Sequence, residues 1–441
     1  MAVGATRVAR AFEPELTEPF KPVAAPEHDF DLEDLRTDKG PFAKLKAWVL
    51  DHLNGPYAVL RTVWPIVHLP GQKALVTRWD DVTEVLGHDK IFRISFGDKV
   101  KLLNDGPNFL LGMDDGPDYR RQHRQVMAAF RRDDIDRAVR PLAARRAAEI
   151  VEAARGRLDA PQDLFMRVAV DVCRDYYGLQ IDDDEWLSFA WWSCAMNTYL
   201  FADPGDNPAF RRAAVAGAER IRAAIDASIA RARTRPDGRD TVQARLIDMQ
   251  ARGAEGLTDE MIRTYLVGMV IGFVPTNTVA CGLALDHMLD DPAILGTAQD
   301  AVAAGDDDLL RRCLLETLRL RPAVPLPFRR CGEDYMLAAG TPRATHIRAG
   351  TMILSAAQSA MRDGRHVKDP TKFDPARPAT DSLVFGYGLH WCTGVFIAEA
   401  HLVQTFKALL AHREVTRALG KAGKLETLGF VPRHLTVEYA V

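Results

Sequence analysis

A chain of 441 residues with 47% hydrophobic and 27% charged residues is long and apolar enough to bury a large core. Its formal net charge of −3 offers no basic balance that would point to nucleic acid or to an anionic membrane surface. The cysteines Cys173, Cys194, Cys281, Cys313, Cys331 and Cys392 show neither a CxxC nor pairing spacings. They read as reduced thiols in a reducing, cytoplasmic compartment.

In chain order, residues 1–26 form a proline-rich arm carrying Arg7, Arg10, Glu13 and Glu15, without the apolar stretch of a targeting segment or a membrane anchor. Residues 27–441 read as one domain. Helical and strand-like patterns mix up to Val82, with a strand at 74–77 and a helix over Trp79–Gly87. From Asp118 to Leu289 the pattern is helical, with Arg/Ala-rich amphipathic segments at 139–156, 209–233 and 242–251. A long apolar helix follows from about Thr258; its apolar run over 265–274 meets Pro275 and falls short of the ~20 residues that cross a bilayer. Another helix spans 309–320. Beyond Arg321 the chain is proline-rich and strand-like, and a last helix covers 395–412. The expectation is a mainly α fold with a small β region.

One loop stands out: Phe385, Gly386, Tyr387, Gly388, Leu389, His390, Trp391, Cys392, Thr393 and Gly394 lead straight into an apolar, helix-favouring segment. A thiolate at Cys392 would sit beside a helix N-terminus, where unpaired N–H groups favour negative charge. Its glycines permit positive φ and let backbone approach a flat group closely. The bland alternative is a buried free cysteine in a strand-to-helix turn. The spacing resembles the haem-binding loop of the cytochrome P450 superfamily, Phe-x-x-Gly-x-x-x-Cys-x-Gly, in its soluble bacterial form. That resemblance implies haem b, iron protoporphyrin IX, with Cys392 as the axial ligand of the iron. Phe385, Gly386 and Gly394 would shape the loop, and His390 would reach an anionic group at the haem edge.

Three further segments fit the same resemblance. Glu316 and Arg319 lie at i, i+3; in isolation such a pair is usually a solvated ion pair. Followed by Pro322, Pro325 and Pro327 and by Phe373-Asp-Pro-Ala-Arg377, it is similar to the family's bracing network, here Glu316, Arg319 and Arg377. The segment 115–124 resembles the approach to the helix beside the haem propionates, with Tyr119 where His is common and His123 where Arg is common. Tyr119, His123 and either Arg329 or Arg330 are the implied propionate contacts. Arg120, Arg121 and Arg124 read either as a solvated basic face or as a docking face for an acidic partner.

The long helix departs from the family. Where Ala/Gly-Gly-x-Asp/Glu-Thr is usual, anchoring on Gly272 puts Val274 at the acid position and Pro275 at the alcohol position, so neither relays a proton. Thr276 is the catalytic candidate if the helix is offset, with Thr278 behind it. Pro275 should kink the helix at a cost of about 3 kcal/mol. Fatty-acid peroxygenases of the superfamily also carry proline here, preceded by an arginine; this chain has Val274. An apolar wall of Val270, Ile271, Phe273 and Val274, a roof of Trp191, Trp192, Met196, Tyr199, Leu200 and Phe201, and Leu326 and Phe328 suggest a hydrophobic small-molecule substrate, although each also reads as plain core. The resemblance implies a monooxygenase using O₂ and electrons from a ferredoxin or flavodoxin-like protein. The alternative is an enzyme that uses peroxide or rearranges a hydroperoxide, and a non-catalytic haem sensor is the check on both.

Overall fold

The computed structural model describes Leu35 and residues 53–441; the arm expected over 1–26 lies outside the described residues. The fold is mainly α with small sheets, as the helical periodicity predicts. The amphipathic segments become helices Arg140–Ala153, Pro208–Thr234 and Val242–Ala251. Capping sets several starts: the Asn207, Thr241 and Thr258 side chains accept backbone N–H bonds at the first turns of their helices.

The helix Asp259–Asp290 is the axis of the molecule. Its apolar residues point in every direction, and it is buried all round. It is long and apolar enough to cross a membrane, but 78% of its apolar window is inside the protein. The first half, with Leu266, Val270 and Phe273, packs in one core cluster beneath the helix Trp186–Phe201. The second half, with Ala284, Leu285 and Met288, packs in another beside Leu402 and Phe406 of the helix Val395–Leu410.

At Pro275 a neighbouring helix makes up for the lost backbone donor. The helix runs unbroken through the proline, and the Ile271 carbonyl, which loses its backbone donor to the proline ring, accepts Asn197 Nδ2 at 2.8 Å. Asn197 comes from the helix Trp186–Phe201 overhead.

The β region is chiefly one five-stranded sheet in the order Ile66–Leu69, Lys73–Val76, Met352–Ser355, Phe328–Cys331, Phe92–Arg93. The Lys73–Val76 and Met352–Ser355 strands run parallel, and the other neighbours antiparallel. The strand Phe328–Cys331 borders the central cavity and carries one of the two arginines at issue.

Candidate functional site

A cavity of about 310 Å³ lies between the long helix and the cysteine loop. The loop supplies Phe385, Gly386, His390, Cys392 and Gly394 to its wall. Two glycines set the loop's shape: Gly386 has φ 78° and Gly388 φ 71°, and a Cβ on Gly388 would come within 2.8 Å of the Leu86 carbonyl oxygen. The Cys392 N–H donates to the Phe385 carbonyl at 2.9 Å, and the helix Val395–Leu410 begins three residues on. Burial pushes the Cys392 thiol up, and the Gly394 N–H pulls the other way. A thiolate here therefore calls for a cation against it.

The opposite wall is one face of the long helix. Gly268, Gly272, Thr276 and Ala280 line the cavity at four-residue spacing, and Met269, Phe273 and Asn277 form the row beside them. A Cβ on Gly272 would meet nothing within 4 Å, so this helix turn faces open space. Val274 and Pro275 are buried but face away from the cavity. The register anchored on Gly272 is thus corrected: the alcohol over the cavity is Thr276, and Val274 and Pro275 replace no cavity group. Thr278 also lies off the cavity, its hydroxyl donating to the Val274 carbonyl at 2.8 Å. The Thr276 hydroxyl donates to the Gly272 carbonyl. Among the described residues lining the cavity there is no carboxylate.

The expected apolar wall and roof shrink as well. Of Val270, Ile271, Phe273 and Val274 only Phe273 lines the cavity, and of the six roof residues only Phe201. Trp191 instead donates to Gln162 Oε1 at 3.2 Å. Phe328 lines the cavity and Leu326 does not; the further apolar lining comes from Phe96, Phe109, Met127 and Phe130. Sequence reasoning missed Tyr177 and Asn277. Asn277 follows Thr276 directly, and a polar pair on an apolar helix was its available signal.

The strand Phe328–Cys331 separates the two arginines on the cationic side of the cavity. Arg329 is buried and lines the cavity, whereas Arg330 is exposed and donates to the Gly350 carbonyl at 3.0 Å. Arg330 is therefore no cavity contact. Among the described residues the Arg329 guanidinium donates only to the Phe328 carbonyl, at 3.0 Å, and burial pulls it down to about 10, opposed by Asp114. His390 is pushed down to about 4 by burial, then by Arg329, and its Nε2 is buried without a partner among the described residues. Tyr119 lines the cavity, but its hydroxyl donates to the Leu389 carbonyl at 3.1 Å, bracing the cysteine loop. Its ring lies 6.0 Å from that of His123 and 5.7 Å from that of His390. His123 itself is half-buried and lies off the cavity wall.

These features fit a haem. A buried arginine with no carboxylate in salt-bridge contact among the described residues, and an imidazole nitrogen without a partner among them, suit propionates at one edge. Cys392 borders the same cavity and can offer its sulfur to a metal cation there, and the cavity between them is apolar and glycine-lined.

Behind the loop, Arg319 grips Glu316 in a two-pronged pair at 2.7 and 2.8 Å, and Arg377 Nε reaches Glu316 Oε1 at 3.0 Å. Glu316 and Arg319 are buried, and backbone carbonyls of Met361, Lys368 and Lys372 take further guanidinium donors. The basic face is largely neutralised: Arg120 pairs with Asp115 and Arg121 with Asp118.

Comparison with known proteins follows the same lines. The sequence model described as cytochrome P450 matches residues 61–431. The chain is 30% identical over 287 residues to the cyclomarin C epoxidase of Salinispora arenicola, covering 64% of this chain and 68% of the relative. It is 25% identical to the vitamin D(3) 25-hydroxylase of Pseudonocardia autotrophica over 82% of this chain and 87% of the relative. Among solved structures, CYP109E1 of Bacillus megaterium in complex with testosterone superposes with a TM-score of 0.74 at 21% identity, covering 88% of this chain and 98% of that one.

Proposed function

Because the chain belongs to the cytochrome P450 family, and is accordingly a haem-thiolate oxidoreductase of the monooxygenase type, we propose that it oxidises a hydrophobic small organic molecule with O₂ and electrons from a separate ferredoxin or flavodoxin-like protein. Haem b, held by Cys392, supplies the oxygen activation and transfer chemistry when bound. The observation that carries the assignment of the ligand is the pairing of Cys392, in its glycine-shaped loop, with a buried Arg329 on the same cavity that makes no carboxylate salt bridge among the described residues.

In this reading the residues of the chain divide the work. Arg329 would neutralise one propionate, and His390, uncharged near neutral pH, would add a hydrogen bond to the propionate edge. Phe385, Gly386 and Gly394 hold the Cys392 sulfur at the ring, and Tyr119 fixes the loop through the Leu389 carbonyl. Phe96, Phe109, Phe201 and Phe328 exclude water from the substrate. Thr276 is the one hydroxyl on the cavity face of the long helix, with lone pairs free to hold a water while its proton is donated to the Gly272 carbonyl. Arg132, stacked 4.1 Å over the Phe396 ring near the cysteine loop, and the half-exposed Trp391 offer an electron donor a basic and aromatic footing. Cytoplasmic residence fits such a donor.

One observation favours a second reading, in which the oxygen arrives pre-activated as a peroxide: the cavity wall lacks a carboxylate to relay protons. Turnover with surrogate reductase and ferredoxin against turnover with hydrogen peroxide alone separates the two. The assignment of Cys392 is tested by Cys392→Ala, which should abolish the far-red-shifted Soret band of the reduced carbon-monoxide complex while the helical circular dichroism persists. An unchanged band in that variant would overturn it.

A further inference from the structure

One corner of the cavity is built from rings that the oxidation chemistry above does not use. Phe130 and Tyr177 line the cavity there. Behind them stands Tyr176, 1% exposed, its ring centroid 5.8 Å from that of Tyr177 and 5.9 Å from that of Phe130. The Tyr176 hydroxyl donates to Asp134 Oδ2 at 3.0 Å. Asp134 is itself buried, and it is gripped by Arg245 and, at 2.6 Å, by Arg137. Burial raises the Asp134 carboxyl, but its bonds to the two guanidinium groups outweigh that and hold it below its ordinary value, so it is ionised at neutral pH. Arg137 carries the network to the surface, its side chain being 55% exposed.

The partner of the phenol separates Tyr176 from the other tyrosines around the cavity. Tyr265, whose ring lies 6.0 Å from that of Phe109 on the cavity wall, donates to the neutral amide oxygen of Gln125 at 2.6 Å. Tyr119 donates to a backbone carbonyl. A phenol gives up an electron far more readily when its proton can leave at the same time, and an ionised carboxylate takes that proton where an amide or a carbonyl does not. Because Tyr177 and Phe130 border the cavity that holds the haem, the ring contacts give the electron a short path whichever part of the cavity the haem fills.

We propose that Tyr176 is a redox-active tyrosine that gives the enzyme a second activity, the reduction of peroxide at the expense of a small one-electron reductant of the ascorbate kind. The proposal goes beyond the monooxygenase reading but rests on its haem, the group that peroxide oxidises. In each turn one electron passes from the Tyr176 ring through Tyr177 or Phe130 into the cavity, and the phenolic proton moves to Asp134 Oδ2. An ascorbate monoanion then gives one electron to the tyrosyl radical and one proton to solvent, and Asp134 returns its proton to the phenolate oxygen. Two turns convert one hydrogen peroxide and two ascorbate monoanions into two waters and two ascorbyl radical anions, the protons released by ascorbate completing the waters.

The test mixes haem-loaded protein with peracetic acid, freezes it rapidly and reads the electron paramagnetic resonance spectrum. The unaltered protein should give a tyrosyl signal. Tyr176→Phe, which keeps the ring and loses only the hydroxyl, should lose most of it, whereas Tyr265→Phe should keep it in full. With hydrogen peroxide as oxidant, the rate of ascorbate oxidation should fall at least about tenfold in Tyr176→Phe and stay unchanged in Tyr265→Phe. The absence of a tyrosyl signal from the unaltered protein overturns the proposal, as does a signal or an ascorbate rate in Tyr176→Phe equal to that of the unaltered protein. If Tyr176→Phe does not load haem, 3-aminotyrosine placed at position 176 decides, because it keeps the phenol and traps the radical there; an aminotyrosyl signal is expected, and its absence overturns the proposal. Each protein is first checked for its carbon-monoxide band: a missing band in the unaltered protein marks failure of the haem-thiolate reading, and an intact band with an unchanged radical in Tyr176→Phe marks failure of this one.

Discussion

Replacing Asn197 with leucine examines how the long helix tolerates its internal proline. Pro275 has no N–H for the Ile271 carbonyl, and Asn197 Nδ2 occupies that oxygen at 2.8 Å. Asn197 is 1% and Ile271 2% exposed, so water cannot take over. Leucine is close to asparagine in size, and the main consequence is one buried acceptor without a donor, which costs about 1–3 kcal/mol. Pro275→Ala restores a backbone N–H directed at the same oxygen. In that background the leucine substitution should cost under about 1 kcal/mol, giving a coupling energy of about 1–2 kcal/mol. The cycle is measured on haem-loaded protein by guanidinium unfolding followed by circular dichroism. Additive losses across the four proteins would refute the reasoning, because they would mean that Asn197 and Pro275 do not share the Ile271 carbonyl.

Other expectations follow from the site. Glu316→Ala should leave two buried guanidinium groups without their carboxylate, costing about 3–5 kcal/mol, and should show as a low yield of haem-loaded protein with an unaltered spectrum in what remains. Arg329→Ala should speed haem loss to apomyoglobin by well over tenfold, whereas Arg330→Ala, on the solvent side of the strand, should leave the rate unchanged. His434 is held above its ordinary value by its hydrogen bond to Asp159, with burial opposing. A raised histidine stabilises the fold fully below the unfolded value near ~6.5, and that contribution disappears as pH rises through the folded value. With the His434 side chain 38% exposed, His434→Gln should cost about 1 kcal/mol or less near pH 5.5 and nothing near pH 8.5, read from urea midpoints.

The haem loop was legible because its chemistry is local. Phe385, Gly388, Cys392 and Gly394 recur at fixed spacing within ten residues, and glycine conformation and helix-start electrostatics act over that same range. The helix boundaries were legible for a similar reason: the 3.6-residue period and the capping Asn207, Thr241 and Thr258 are properties of contiguous chain. Even the Glu316 pair announced itself, through its i, i+3 spacing and the downstream Arg377.

Orientation was decided by packing. The long helix is apolar on every side, so no amphipathic stripe marks which face meets the cavity; the register taken from Gly272 put the acid and alcohol positions at Val274 and Pro275, left Thr276 as a substitute and missed Asn277. Arg329 and Arg330 are adjacent and identical in type; only the strand's place in the sheet sends the first inward and the second out. The partner of the Ile271 carbonyl lies 74 residues away. A missing hydrogen-bond donor can be read from a proline, but the group that replaces it is found only where the folded chain brings two helices together.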